Sequence, residues 1–303
     1  MAVDTERSVE PAAVGVGSEL DAVSTYVGQP KRLSVIRPAS RWPRLDISEL
    51  WHYRELLGTF VWRDIKVRYK QTAVGIAWAI LVPIFTATIY IVVLGRFAKL
   101  PRGSLPYPIL VFAGLLPMQL FTSALTGSSG SIVSSVNLVT KVYFPRVLIP
   151  LAAVMSPLVD FMFGLVVMLG LMGWYDTWPG GLVIVLAPAF LALAFVTALG
   201  LGLFLSAVNV RYRDVPYAIP VFLQVLPFVS GVVYDVNNIP VKWQWILAFN
   251  PMTAVIAGWR WTMLGAGAPN PARTAVGVAV GLVLFVFGLA YFRRSEPRFA
   301  DTI

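Results

Sequence analysis

The chain has 303 residues, 57% of them hydrophobic and only 13% charged, with a formal net charge of +9 and a mean hydropathy of +0.74. Soluble domains carry about 25% charged residues, so the composition excludes an ordinary soluble domain and points to one helical bundle in a bilayer. With no cysteine and a single histidine, His52, the chain excludes a disulfide framework, a thiolate metal site and a histidine cluster.

Residues 1–49 are polar, with scattered Pro, Gly and Ser and no sustained period, and read as a mobile cytoplasmic tail. Within it Lys31, Arg32, Arg37, Arg41 and Arg44 surround Trp42, a composition suited to anionic headgroups or to a partner protein. The membrane part is residues 50–303. It begins with LWHYRELLGTFVWRDIKVRYKQT at 50–72, which is basic, aromatic and amphipathic. At 100° per residue, His52, Glu55, Arg63, Lys66 and Lys70 fall within an arc of about 80°. Leu50, Tyr53, Leu56, Leu57, Phe60, Val61 and Ile65 spread over the opposite side, while Arg54, Asp64 and Arg68 interrupt the apolar face. The pattern predicts an interfacial helix lying in the headgroup region, with Trp51, Arg54, Trp62, Arg63, Lys66, Arg68 and Lys70 as its anchoring residues.

Six apolar runs follow at 73–97, 107–125, 147–172, 182–208, 215–233 and 275–292, each near the roughly 20 residues that a membrane span needs. Pro83, Pro117, Pro157, Pro188 and Pro220 lie in or near them, where neighbouring helices can satisfy the freed carbonyls. With the N-terminus inside and alternating crossings, only Arg96, Lys99, Arg102, Lys242, Arg260 and Arg273 fall outside. Inside-positive bias therefore puts both termini in the cytoplasm. Basic residues placed between apolar runs orient a membrane protein and give no basic face for nucleic acid.

Two inner connections stand out. SSGSIVSSVNLVTKVYFPR, at 128–146, is Ser-rich and ends Lys141-Val142-Tyr143-Phe144-Pro145-Arg146. Pro145 favours an extended or turn conformation at Phe144 and so stops any short helix before it. NVRYRDV, at 209–215, is short and basic. Aromatics beside basic residues have the composition of a docking surface. On the outer side, residues 234–271 hold apolar pieces too short to cross, separated by the breaker Asn250-Pro251. They predict two short helices re-entering the outer leaflet, which is tolerated where the irregular backbone is buried in protein or lines a wet cavity.

Chemistry for catalysis is largely missing. The chain lacks G-x-x-x-x-G-K-[ST], so it has no loop of that kind to cradle a nucleotide. The outer carboxylates, Asp176 and Asp235, are far apart in sequence and support neither acid–base work nor a metal site. No catalytic residue is assigned. Asp160, in SPLVDFMFG, is the one acid inside a predicted span. It is a functional candidate by default, or else a buried hydrogen-bond partner of Ser, Thr or Arg, or simply a protonated acid.

In this order, the amphipathic basic helix, the spans, the inner loop ending YFPR, the inner RYRDV, the outer NPM and the terminal FADTI form a pattern. From about Leu50 to the C-terminus it resembles the membrane permease subunit of bacterial ABC exporters for lipid-linked polysaccharides, the class that moves O-antigen, teichoic acid and galactan. WRDIKVRYKQTAVGIAWAILVP and NVRYRDV are the most specific pieces. The resemblance implies an all-α membrane protein in the bacterial plasma membrane, working as a homodimer with two copies of a cytoplasmic ATPase that binds ATP and Mg. No cofactor is expected in this chain. It further implies a coupling helix carrying Asn137, Lys141, Val142, Tyr143, Phe144, Pro145 and Arg146, with Arg211, Arg213 and Asp214 beside the ATPase. Gating helices would carry Tyr234, Trp243, Trp245, Asn250 and Pro251. Phe112, Phe121, Asp160, Tyr217, Phe222 and Phe228 are candidates for the channel. Aromatic faces offer sugars many weak contacts, and transport needs sites weak enough to leave. Two other readings stand beside this one: an exporter of drugs or small lipids with related architecture, and a membrane enzyme acting on polyprenyl-linked sugars.

Overall fold

The computed structural model describes residues 51–70, 77–93, 105–141, 144–179 and 181–299, and among these every regular element is helical. The tail, Val142, Tyr143, the connection holding Arg96, Lys99 and Arg102, and the last residues of FADTI lie outside the described residues. The helices are α1 (Arg54–Lys70), α2 (Ala77–Tyr90), α3 (Tyr107–Ser134), α4 (Val136–Lys141), α5 (Leu148–Met155), α6 (Leu158–Trp174), α7 (Ala187–Arg211), α8 (Val215–Val229), α9 (Val241–Ala248), α10 (Pro251–Leu264) and α11 (Pro271–Ser295). Four stretches are long and apolar enough to cross a bilayer: Tyr107–Ser134, Leu148–Trp174, Ile184–Arg211 and Pro271–Arg298; Ala77–Val93 and Val215–Val229 are shorter apolar helices.

Helix α3 is the axis of the bundle, packed by α2, α5, α6, α7, α8 and α10. It is apolar nearly all round, and Ile109, Val111, Ala113, Met118, Ala124 and Ile132 have almost no exposed surface. A helix hydrophobic on every side belongs in the interior. The sequence places an inner connection from residue 128, but α3 continues to Ser134. The serine run is helical, and its hydroxyls are satisfied by bonding back to the helix. Ser129, Ser131 and Ser134 donate to the carbonyls of Thr126, Ser128 and Ser131 at 2.8, 2.7 and 3.0 Å. Pro83, Pro117, Pro220 and Pro227 sit inside helices. By contrast, the third span is broken into α5 and α6 at Ser156-Pro157.

Between membrane helices the lipid supplies no hydrophobic drive, so association depends on close backbone approach at small residues. Helices α7 and α11 meet that way. A methyl group built on Gly288 would overlap the Gly200 carbonyl, and one on Gly281 would sit 2.8 Å from the Thr197 hydroxyl. Gly277 continues the same stripe against Ala254 of α10. Gly288→Ala should therefore push α7 and α11 apart and cost about 1–3 kcal/mol, read as a lower melting temperature of the purified protein in detergent. Gly267→Ala, where nothing lies within 4 Å of the added carbon, should leave it unchanged.

Candidate functional site

At one end of the bundle, α1 lies against α5. Its Tyr53, Leu56, Leu57, Phe60 and Val61 form the buried side, the i, i+3, i+4 spacing of an amphipathic helix. Trp51, Trp62 and Lys66 face outward. Arg54 stacks over Trp51 at 5.5 Å and Lys66 over Trp62 at 5.4 Å. Arg63 pairs with Asp64 at 2.9 Å and covers the Phe60 ring at 5.3 Å. Lys70 is exposed at the end of the helix.

The same end carries α4, whose Asn137, Thr140 and Lys141 are exposed while Val139 is buried. Arg211, Arg213 and Asp214 are also exposed. They belong to this end because Asn209 donates to the Ser129 carbonyl at 3.0 Å. Phe144 and Pro145 differ from the expected docking surface. Phe144 is buried edge-on against Phe60 at 5.5 Å, and Pro145 is buried with it. Arg146 turns inward as well. Its backbone N–H donates to Glu296 Oε1 at 3.2 Å, and its Nη1 donates to the Glu296 carbonyl at 2.5 Å. Arg293 holds the other carboxylate oxygen at 3.2 Å. These residues pack into the bundle instead of presenting a surface, because an aromatic ring beside a second apolar helix gains more from packing than from exposure. Glu296 was invisible to sequence reading as a partner; a carboxylate just past a terminal Arg-Arg pair was its only signal.

Asp160 is not alone in its span. Arg68 Nη1 and the Tyr69 hydroxyl, both on α1, donate to its two carboxylate oxygens. Burial first, then the Asp160 hydrogen bond and charge, push the Tyr69 phenol above its ordinary value, so it remains a donor. Trp78, Val82 and Pro83 of α2, Leu116, Gln119, Thr122 and Ser123 of α3, and Phe161 of α6 complete a cavity of about 380 Å³ beside this triad. Arg68 also borders two adjoining hollows along α3, one with Thr126 and Gly127 and a larger one reaching Ser134 and Asn137.

At the opposite end of α3, the chain leaves α8 in a left-handed turn at Gly231 (φ +75°). The Val232 N–H returns to the Pro227 carbonyl at 3.0 Å, closing a Schellman cap. The next carbonyls have no helix to satisfy them. Arg260 of α10, 95% buried, supplies the donors: Nη1 reaches the Gly231 and Tyr234 carbonyls at 2.8 and 3.1 Å, Nη2 reaches Val232, and Nε reaches Leu110 of α3 at 3.0 Å. The Tyr107 hydroxyl takes the Val233 carbonyl at 3.0 Å. Gly114 leaves the necessary room; a methyl there would lie 2.5 Å from the guanidinium. Asn250 caps α10 by accepting from the Met252 N–H at 3.0 Å and donates to Ser230 at 2.8 Å, with Pro251 at the first helical position. Gln244 ties α9 back to the Ile239 carbonyl at 2.6 Å and accepts from Arg273.

Tyr234 is half-buried in this knot, whereas Trp243 and Trp245 of α9 are exposed. Of the expected channel aromatics, Phe112 and Phe121 are buried in the core of the chain, where packing leaves them no open face. Tyr217, Phe222 and Phe228 are exposed along α8, Phe228 meeting Tyr90 of α2 edge-on at 5.9 Å.

The model of the ABC-2 type transporter family matches residues 55–264, which takes in α1, the central spans, α4 and the Arg260 knot. The chain belongs to this family. It is a membrane transport subunit and not an enzyme. Among its relatives, the O-antigen export system permease protein RfbA of Klebsiella pneumoniae is 28% identical over 250 residues, covering 82% of this chain and 95% of the relative. RfbA of Myxococcus xanthus is 29% identical over 260 residues, covering 85% and 98%. The polysialic acid transport protein KpsM of Escherichia coli is 25% identical over 243 residues, covering 77% and 91%. In this ABC-2 chain, Arg260→Met should leave a row of buried carbonyls without donors. That costs about 2–4 kcal/mol, measured as a drop in melting temperature well beyond that of Lys242→Met on exposed α9.

Proposed function

We propose that this chain is the permease of a bacterial ABC exporter for a lipid-linked polysaccharide, a surface or cell-wall glycan such as O-antigen, capsule or galactan. The observation that carries the reading is the near-full-length similarity to relatives named as O-antigen and polysialic acid transport proteins. In this reading the four long spans and the shorter apolar helices α2 and α8 make six crossings. Helices α9 and α10 re-enter the outer leaflet as gates, and both termini lie in the cytoplasm. Inside-positive distribution of Lys and Arg supports that orientation.

The permease works as a homodimer with two ATPase subunits that bind ATP and Mg. The exposed side of α4, with Asn137 and Lys141, and the nearby Arg211, Arg213 and Asp214 are offered to the ATPase. Phe144, Pro145 and Arg146 transmit the push through α5 and the C-terminal turn. Helix α8 buries only Ile219 and Pro227. Such a thinly covered span supports a second copy across a channel, with Tyr217 and Phe222 along the way and Phe228 near the exit. Aromatic faces against sugar C–H faces give many shallow contacts and no deep trap.

Depletion of the permease in its host is the direct test. Polymer should accumulate on the cytoplasmic side and vanish from the surface, with restoration by the plasmid-borne chain. Unchanged surface polymer after depletion would refute the reading.

A further inference from the structure

The cavity beside Asp160 has a lining unlike that of a lipid-facing groove. Gln119, Thr122, Ser123, Thr126 and Ser134 share one face of α3, within an arc of about 120° at 100° per residue. From Gln119 to Ser134 the stripe runs about 22 Å along the helix. The Gln119 amide and the Ser123 hydroxyl have no hydrogen-bond partner among the described residues, and both open into the cavity. Polar groups at membrane depth that face a cavity mark a substrate path. A free side-chain amide offers two donors and an acceptor.

Charge selects among ligands. Among the described residues, Arg68 and Asp160 are the only charged ones on the cavity wall, and they neutralise each other. In the adjoining hollow, Arg63 is paired with Asp64 in the same way. Among the described residues no surplus cation lines the path, so these groups offer a phosphate or diphosphate no countercharge. What remains is a neutral set of planar and hydroxyl groups beside Trp78, half of whose surface is exposed. Amide, hydroxyl, carboxylate and guanidinium edges meet the hydroxyl rim of a sugar, and an indole offers an apolar face to its C–H side. A volume of about 380 Å³ is within the range of small-ligand sites.

We infer that each protomer holds a neutral-sugar subsite between α1, α2, α3 and α6, formed by Trp78, Gln119, Ser123 and the Arg68–Asp160 pair. It is separate from the exposed aromatics of α8. The subsite rests on the polysaccharide-export reading above. Sugar units of the polymer dock there from the inner end, along the α3 stripe.

The absence of cysteine from the chain makes a clean test possible, because Ser123→Cys introduces the permease's single thiol. Inverted membranes containing the permease with its ATPase are prepared from cells making the polymer and from cells with its first glycosyltransferase switched off. The rate of N-ethylmaleimide attachment to the permease is then followed by mass spectrometry. Attachment should be about fivefold slower in the polymer-containing membranes, while a reference Gly267→Cys variant reacts equally in both. Equal rates for Ser123→Cys would overturn the subsite. A second variant, Gln119→Leu, should lower surface polymer about tenfold through lost hydrogen bonds while ATPase association is retained; full export by it would also overturn the subsite. Permease depletion separates the two levels. If depletion leaves export intact, the export reading fails and the subsite with it. If export depends on the permease but labelling does not depend on polymer, the subsite alone fails.

Discussion

A bilayer has no water to satisfy a backbone that leaves its helix, so each break in this bundle must carry its own donors. The break after α8 is the most demanding. Four successive carbonyls, those of Gly231, Val232, Val233 and Tyr234, are taken by two side chains, Arg260 and Tyr107. Arg260 also reaches Leu110, and so fixes the irregular segment to the central helix α3. Asn250 joins the same knot from the start of α10 through Ser230. A guanidinium suits this place because its planar fork spreads several donors over a wide arc.

The opposite end is built differently. There the irregular backbone is short, and apolar packing with one ionic brace does the holding. Phe60 and Phe144 fix α1 to the segment after α4, while Glu296 draws Arg146 and Arg293 together. The exposed sides of α4 and of the turn after α7 are left free. Between the two ends, α3 is closed by packing on most of its circumference, and opens only along the polar stripe beside Asp160. Rigidity at the Arg260 knot and a free surface at the α4 end suit a subunit that is moved by a partner.

Much of this was legible in the sequence where one side chain reports one local rule. The spacing of Tyr53, Leu56, Leu57, Phe60 and Val61 gave the buried side of α1, and Asn250-Pro251 reads as a break that became a helix cap. Features that depend on distant partners were not legible. Arg260 looked like one more outer cation, because nothing near it in sequence reveals that its partners are carbonyls 26 to 29 positions away. Phe144 read as a docking aromatic, since its burial against Phe60 needs α1 to fold back. The serine run after Thr126 read as a loop, for serine favours turns, and its burial against α7, with Ser128 close on Gly202, depends on distant partners. Asp160 stood as a lone acid until α1 brought Arg68 and Tyr69 to it.

Two unlike ends are built, one knotted around Arg260 and one free at α4; we propose that the first lies outside the membrane and the second inside. Single cysteines at Asn238 and Thr140, in a chain that otherwise has none, test it in spheroplasts with a membrane-impermeant maleimide. Asn238→Cys should react in intact spheroplasts and Thr140→Cys only after permeabilisation. Reaction of both from the same side would contradict the claim.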